Sequence, residues 1–277
     1  MKRRHFITLA GAGAIGTTAL RSTPITTAKS TRWQPDGAGL RARIGVLTPE
    51  FDPVPESEMW AMVPQGVSVH AARVRRNREA RGFAEPPNIG NATEQLTGLA
   101  LRAIVYAYTS SSYALGAEAD ELLKTRLEKL AGGIPLVLTC PAATEALRIL
   151  GANRVAVIHP PWFTEEINNK GMEYFRSRGF DVVLCTRITP SRQFTEVSPE
   201  EVYEWVMTNV PRQAEAVFIG GNGLRAVGVI QALEKSLRRP VLTANQVVLW
   251  GALRVGAGVT SKVTRYGRVF TKSGANR

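Results

Sequence analysis

Ala103-Ile104-Val105-Tyr106-Ala107-Tyr108-Thr109-Ser110-Ser111-Ser112 and Ala216-Val217-Phe218-Ile219-Gly220-Gly221-Asn222-Gly223-Leu224-Arg225 share one pattern: a short apolar run passes directly into small polar residues. A few consecutive apolar residues bounded by turn-formers read as a strand buried on both faces. Open parallel sheets hold ligands beyond the carboxyl ends of their strands. Two strand ends rich in hydroxyls and backbone amides, set face to face, can hold a carboxylate between them.

Further apolar runs surround each of these. One set begins near Arg43, Val67, Ala103 and Pro135, and a second near Arg154, Asp181, Ala216 and Val241. Each member of the second set starts about 110 residues after its counterpart, which marks a repeat of a whole four-strand unit. Helical spacing fills the intervals, as parallel pairing requires. Ala119, Leu122, Leu123, Leu127 and Leu130 recur at helical spacing before Gly132-Gly133. Helices are also expected over 143–150 and 164–178, from the capping box Ser198-Pro199-Glu200-Glu201 to about Thr208, and from Leu224 to Leu237.

The expected fold class is therefore α/β, with two pseudo-symmetric flavodoxin-like domains. Each carries a four-stranded parallel sheet flanked by helices, with the ligand cleft between them. The expected boundaries are a leader over 1–28, a linker over 29–42, a first domain over 43–144 plus 245–270, a second over 145–244, and a tail over 271–277. The duplication pairs the residues after each strand: Thr48-Pro49 with His159-Pro160, Tyr108-Thr109-Ser110 with Gly221-Asn222-Gly223, and Thr139-Cys140 with Ala244-Asn245. A cleft built on such a pseudo-twofold suits a small, nearly symmetric dicarboxylate.

The 277 residues, 44% of them apolar and 21% charged, are enough for one large core or two modest ones. Of the net charge of +12, the leader supplies Lys2, Arg3, Arg4 and Arg21 with no acid. Arginines ahead of a mild Gly/Ala-rich run, then Thr26-Thr27-Ala28, look like a twin-arginine export signal. The mature protein is expected to be exported, periplasmic or extracellular, or cytoplasmic if the leader does not function. No later segment has the length of a membrane span. Arg73, Arg75, Arg76, Arg78 and Arg81 lack interleaved aromatics and read as a solvated face, not a nucleic-acid site. Cys140 and Cys185 form no CxxC or Cys/His cluster, which argues against a structural metal, although export would permit them to pair.

The chain resembles the aspartate/glutamate racemase superfamily, and within it the maleate cis-trans isomerase and arylmalonate decarboxylase branch. The resembling segments are Ile44-Gly45-Val46-Leu47-Thr48-Pro49, Pro64-Gln65-Gly66-Val67-Ser68-Val69, Tyr106-Ala107-Tyr108-Thr109-Ser110, Ile134-Pro135 through Arg154-Val155-Ala156, Gly223-Leu224-Arg225, Asn245 through Trp250, and Tyr266-Gly267-Arg268. The resemblance implies a cysteine after the third strand of each half, both present in the isomerases and the second alone in the decarboxylases. Here Tyr108 and Gly221 stand at those stations, so both thiols are missing. A tyrosine usual in the first turn of the second half is matched by Trp162, which cannot accept a hydrogen bond. An early asparagine that helps hold a carboxylate is matched by Asp52, which would repel an anion unless protonated or paired.

Together these readings point to a lyase or isomerase of small carboxylic or dicarboxylic acids, decarboxylase-like or isomerase-like, that uses no cofactor or metal. Tyr108, Asp52 and Cys140 are its catalytic candidates. The substrate-binding candidates are Pro49, Thr109, Ser110, Trp162, Gly220, Gly221, Asn222 and Asn245. A free phenol titrates near pH 10, so Tyr108 would need a neighbouring cation or oxyanion. The alternative is a secreted, non-catalytic carboxylate-binding protein derived from the same family. A homo-oligomer is left open.

Overall fold

The computed structural model describes residues 37–75, 88–189, 197–258 and 263–272. The expected leader, Arg76, Arg78 and Arg81, and most of the tail lie outside them. Among the described residues there are eight strands: β1 (Ala42–Pro49), β2 (Val67–Val74), β3 (Ala103–Tyr106), β4 (Leu136–Leu138), β5 (Arg154–His159), β6 (Asp181–Arg187), β7 (Ala216–Ile219) and β8 (Val241–Thr243). They form two all-parallel sheets with the same order, β2-β1-β3-β4 and β6-β5-β7-β8. The duplication read from the sequence is thus a duplication of topology.

The helices are α1 (Val54–Met62), α2 (Ile89–Thr97), α3 (Thr109–Leu115), α4 (Ala117–Leu130), α5 (Thr139–Ile149), α6 (Glu165–Ser177), α7 (Pro199–Asn209), α8 (Ile230–Leu237) and α9 (Ala244–Gly256). Local chemistry sets several ends. The Thr164 hydroxyl accepts the Ile167 N–H to start α6, and Ser198 and Glu201 close the expected capping box on α7. Past the end of α4, Gly132 (φ +67°) and Gly133 (φ +87°) take the left-handed turn that other residues resist.

Alternation along the strands builds three apolar layers. Ala103, Val105 and Ala107 of the first half share the central cluster with Val155, Val157, Ala216 and Phe218 of the second. On the outer face of the first sheet, Leu47, Ile104 and Tyr106 pack under α2 and α4; Ile158, Val217 and Ile219 pack under α7 and α8 on the second. The last helix returns to the first sheet. A Cβ on Gly251 would lie 2.8 Å from Val137 of β4, and one on Gly256 would lie 2.8 Å from the Arg102 carbonyl before β3, so α9 sits close against that layer.

Two helical expectations change. In α4 the buried stripe is Asp120, Leu123 and Leu127, whereas Leu122 is 67% exposed. The helix expected from Leu224 begins with a 3₁₀ turn over Val227–Val229 and turns α-helical only at Ile230. Its early N–H groups, Ala226 and Val227, are captured by the Glu58 carboxylate, which holds the preceding segment as a turn.

Candidate active site

A cavity of about 90 Å³ opens where strand ends from both halves meet. Pro49, Phe51 and Asp52 reach it from β1, Ala107 to Ser110 from β3, Trp162 and Phe163 from β5, and Gly221 to Gly223 from β7. Outside it lies a chamber of about 490 Å³ that shares Phe51, Asp52, Trp162 and Gly223 and adds Pro53, Val54, Ser57, Val197 and Arg225. Phe51 (62% exposed) and Trp162 (48% exposed) occupy duplicated positions after β1 and β5, one on each lip.

Asp52 is the carboxylate common to both spaces. Its Oδ1 accepts the Val54 N–H at 3.0 Å, and its backbone carbonyl accepts a guanidinium N–H of Arg73 at 2.7 Å. Burial raises its pKa above the ordinary aspartate value, outweighing the opposing pull of the Val54 N–H and the Arg73 charge. A raised pKa favours the neutral acid, which answers the repulsion an anionic ligand would otherwise meet.

Tyr108 is half-buried on the wall, its ring edge-on to Tyr106 with centroids 5.9 Å apart. Gly221, at the opposite station, has φ +86°, and an added Cβ would sit 2.7 Å from the Pro160 ring. A side chain at 221 is therefore opposed by both backbone and space.

The polar floor is largely self-satisfied. Thr109 donates its N–H (2.8 Å) and its hydroxyl (2.7 Å) to Asn222 Oδ1 and accepts the Gly221 N–H at 3.1 Å. Asn222 donates to Asn245, and Asn245 donates to Glu58 at 2.7 Å. The Ser110 hydroxyl and the Gly223 N–H, also on the lining, take no part in these bonds.

Eight expected residues are brought together on the lining: Pro49, Asp52, Tyr108, Thr109, Ser110, Trp162, Gly221 and Asn222. Three are not on it. Asn245 lies one layer below and anchors Asn222. Gly220 packs against His159 and Tyr113. Cys140 is fully buried on the first turn of α5, where its thiol faces the Thr109 carbonyl at 3.8 Å and burial pushes its pKa well up, away from thiolate. Cys140 and Cys185 are both free thiols, so the pairing that export would permit is not made. His159 is also withdrawn from the cavity. Its ring lies between Asn168 (2.9 Å) and the Tyr113 hydroxyl (3.0 Å), and burial lowers its pKa to about 4, so it is neutral.

Phe51, Phe163 and Glu58 were not anticipated from the sequence. The duplication pairs Phe51 with Trp162 and could have exposed the first. Glu58 falls with Pro55, Met59 and Met62 on the buried stripe of α1, a charge in an apolar pattern that is itself a signal.

The arylmalonate decarboxylase family model matches residues 65–270. A maleate isomerase from Geobacillus stearothermophilus is 22% identical over 231 residues, covering 76% of this chain and 90% of the relative. An arylmalonate decarboxylase from Bordetella bronchiseptica is 22% identical over 169 residues, covering 60% of this chain and 69% of the relative. The structure of a Nocardia farcinica maleate cis-trans isomerase with a covalently bound succinylcysteine intermediate superposes with a TM-score of 0.75 at 20% identity, over 84% of this chain and 99% of that one.

Proposed function

The chain belongs to the arylmalonate decarboxylase family, and from that premise we propose that it is a divergent lyase or isomerase of a small carboxylic or dicarboxylic acid that works without the family's thiol pair. The observation that carries this reading is the placement of a half-buried carboxyl, Asp52, and a phenol, Tyr108, on one small cavity with Ser110 and the Gly223 N–H. Decarboxylation is the reaction such a site serves best. Phe163 and Ala107, the buried apolar members of the lining, give one carboxylate of the ligand an apolar surrounding, which weakens its hold on the molecule. As its C–C bond breaks, carbon dioxide leaves and the electron pair passes into an enediolate, whose oxygens accept from Ser110 and Gly223. Asp52, held toward its protonated form, returns a proton to the carbon. Addition of a cysteine to a double bond has no nucleophile at either station.

One observation favours a second reading, a secreted carboxylate-binding protein without turnover: the donors of Thr109 and Gly221 are spent inside the protein. A panel of malonates, maleates, amino acids and hydroxy acids separates the two. Carbon dioxide release, isomerisation or racemisation that Tyr108→Phe sharply lowers supports the enzyme. Thermal shifts by the same acids with no chemistry support the binder. We also propose export through the paired arginines; Arg3→Lys with Arg4→Lys should keep the protein in the cytoplasm, and unchanged export would overturn that part.

A further inference from the structure

Four buried polar side chains form one hydrogen-bonded run from α1 to the cavity floor. Glu58 is 8% exposed and uses its oxygens on opposite sides. Oε1 accepts the N–H groups of Ala226 (2.7 Å) and Val227 (3.1 Å), and Oε2 accepts Asn245 Nδ2 (2.7 Å). Asn245 Oδ1 accepts Asn222 Nδ2 at 2.9 Å, while Asn245 Nδ2 also reaches the Asn222 carbonyl at 2.8 Å. Asn222 Oδ1 then takes both donors of Thr109. An amide donates at one end and accepts at the other, so fixing the first amide of the run fixes the second and then Thr109. At position 58 donors arrive from both sides. A carboxylate accepts on both and donates on neither, whereas a glutamine must present a donor to one of them.

We infer that Glu58 is a positioning residue of the cleft: it sets the direction of the Asn245 and Asn222 amides, so that Asn222 Oδ1 takes up the N–H and the hydroxyl proton of Thr109 and withholds both from the ligand. The functional consequence rests on the carboxylate-site reading above. With Thr109 committed, the Ser110 hydroxyl and the Gly223 N–H are lining donors that this run does not use. The ligand is then anchored by one carboxylate, not gripped at both ends as a symmetric rim would grip a dicarboxylate.

The test needs no substrate, so its failure is distinct from failure of the turnover panel. In ¹⁵N-labelled protein without ligand, Glu58→Gln faces Asn245 with a donor, which reverses Asn245 and then Asn222. The Thr109 and Gly221 N–H resonances should move along with those of Ala226 and Val227. The double variant Glu58→Gln/Asn245→Asp restores the order of donors and acceptors and should bring Thr109 and Gly221 back toward their original positions. A Glu58 with only a local structural role would disturb Ala226 and Val227 and leave Thr109 and Gly221 still; that outcome overturns the proposal, as does a double variant no closer to the parent than the single. If Glu58→Gln does not fold, the same signals are followed with native Glu58 from about pH 8.5 down to about 5.5. An Asp52→Asn background removes the neighbouring carboxyl that also acts on Glu58. Thr109 and Gly221 should titrate together with Ala226, and their failure to do so sinks the inference.

Discussion

The two halves repeat one topology and have divided the labour of the cleft between them. After β1 and β3 the first half sets titratable and hydroxyl side chains, Asp52, Tyr108, Thr109 and Ser110, on the cavity. After β5 and β7 the second half offers ring carbon, backbone and one amide, namely Trp162, Phe163, the glycines at 221 and 223, and Asn222, whose Oδ1 is taken up by Thr109, while His159 at the end of β5 is buried and neutral between Tyr113 and Asn168. Thr48 and His159 are duplicated positions with different duties: the Thr48 hydroxyl faces the Asp52 carbonyl at 3.5 Å, whereas His159 pins the end of β5 to α3 and α6. The lesson is that duplication preserves where a side chain points more strictly than what it does.

The largest test of this division is at Asp52. Asp52→Asn should lower turnover about 10³-fold, within the span for a lost proton-transfer group, and Tyr108→Phe about 10²-fold, measured as kcat on whichever acid of the panel reacts. Undiminished turnover in Asp52→Asn would remove the first half from the chemistry.

Next in size is a contrast in pH. Glu58 is raised from 4.5 to about 7 and Asp120 from 3.8 to about 6, chiefly by burial. A raised acid favours the fold while protonated, so their contribution is full below the unfolded values and is lost as pH climbs through 6 to 7. His159, lowered from 6.5 to about 4, behaves oppositely: its contribution is full above 6.5 and is lost as pH falls toward 4. Each group contributes about 3 kcal/mol at most. Between about pH 7 and 4 the two acids together outweigh His159, so the melting temperature should rise as pH falls, and His159→Gln should steepen that rise; an unchanged slope contradicts the assignment.

Gly221→Ala should cost about 2 to 3 kcal/mol in a denaturant titration, since it combines a left-handed backbone with a clash on Pro160. A neutral result would mean that the second station tolerates a side chain after all. Smallest are the lips: Phe51→Ala and Trp162→Ala should each raise KM less than tenfold and leave kcat in place, because both rings are substantially solvent-exposed and meet the outer part of a ligand.

Much of the fold was legible in the sequence because each strand is a short apolar run with turn residues after it, and the duplication gave every strand a second reading. Helices were less so. α1 hides behind Pro53 and Pro55 and carries a buried glutamate in its apolar stripe. α9 is apolar on nearly every side, Val247 through Leu253 being buried, so it lacks the polar face by which a helix is recognised. On the rim, residues directly following β1, β3, β5 and β7 could be placed by the rule for parallel sheets. Cys140 follows β4 by the same rule, yet its side chain turns into the core at the start of α5. Glu58 has its partners 168, 169 and 187 residues away in the chain, a relation that no local pattern carries.

The return of α9 to the opening sheet has a consequence for how the molecule is made. Val247, Val248 and Trp250 are synthesised after all eight strands, yet they complete the cover of the earliest layer. On the ribosome that layer must wait, one flank bare, until the tail of the polypeptide emerges. The repeat is therefore a record of ancestry and not a pair of separable modules, and a chain cut near 150 should yield no independently folding front half.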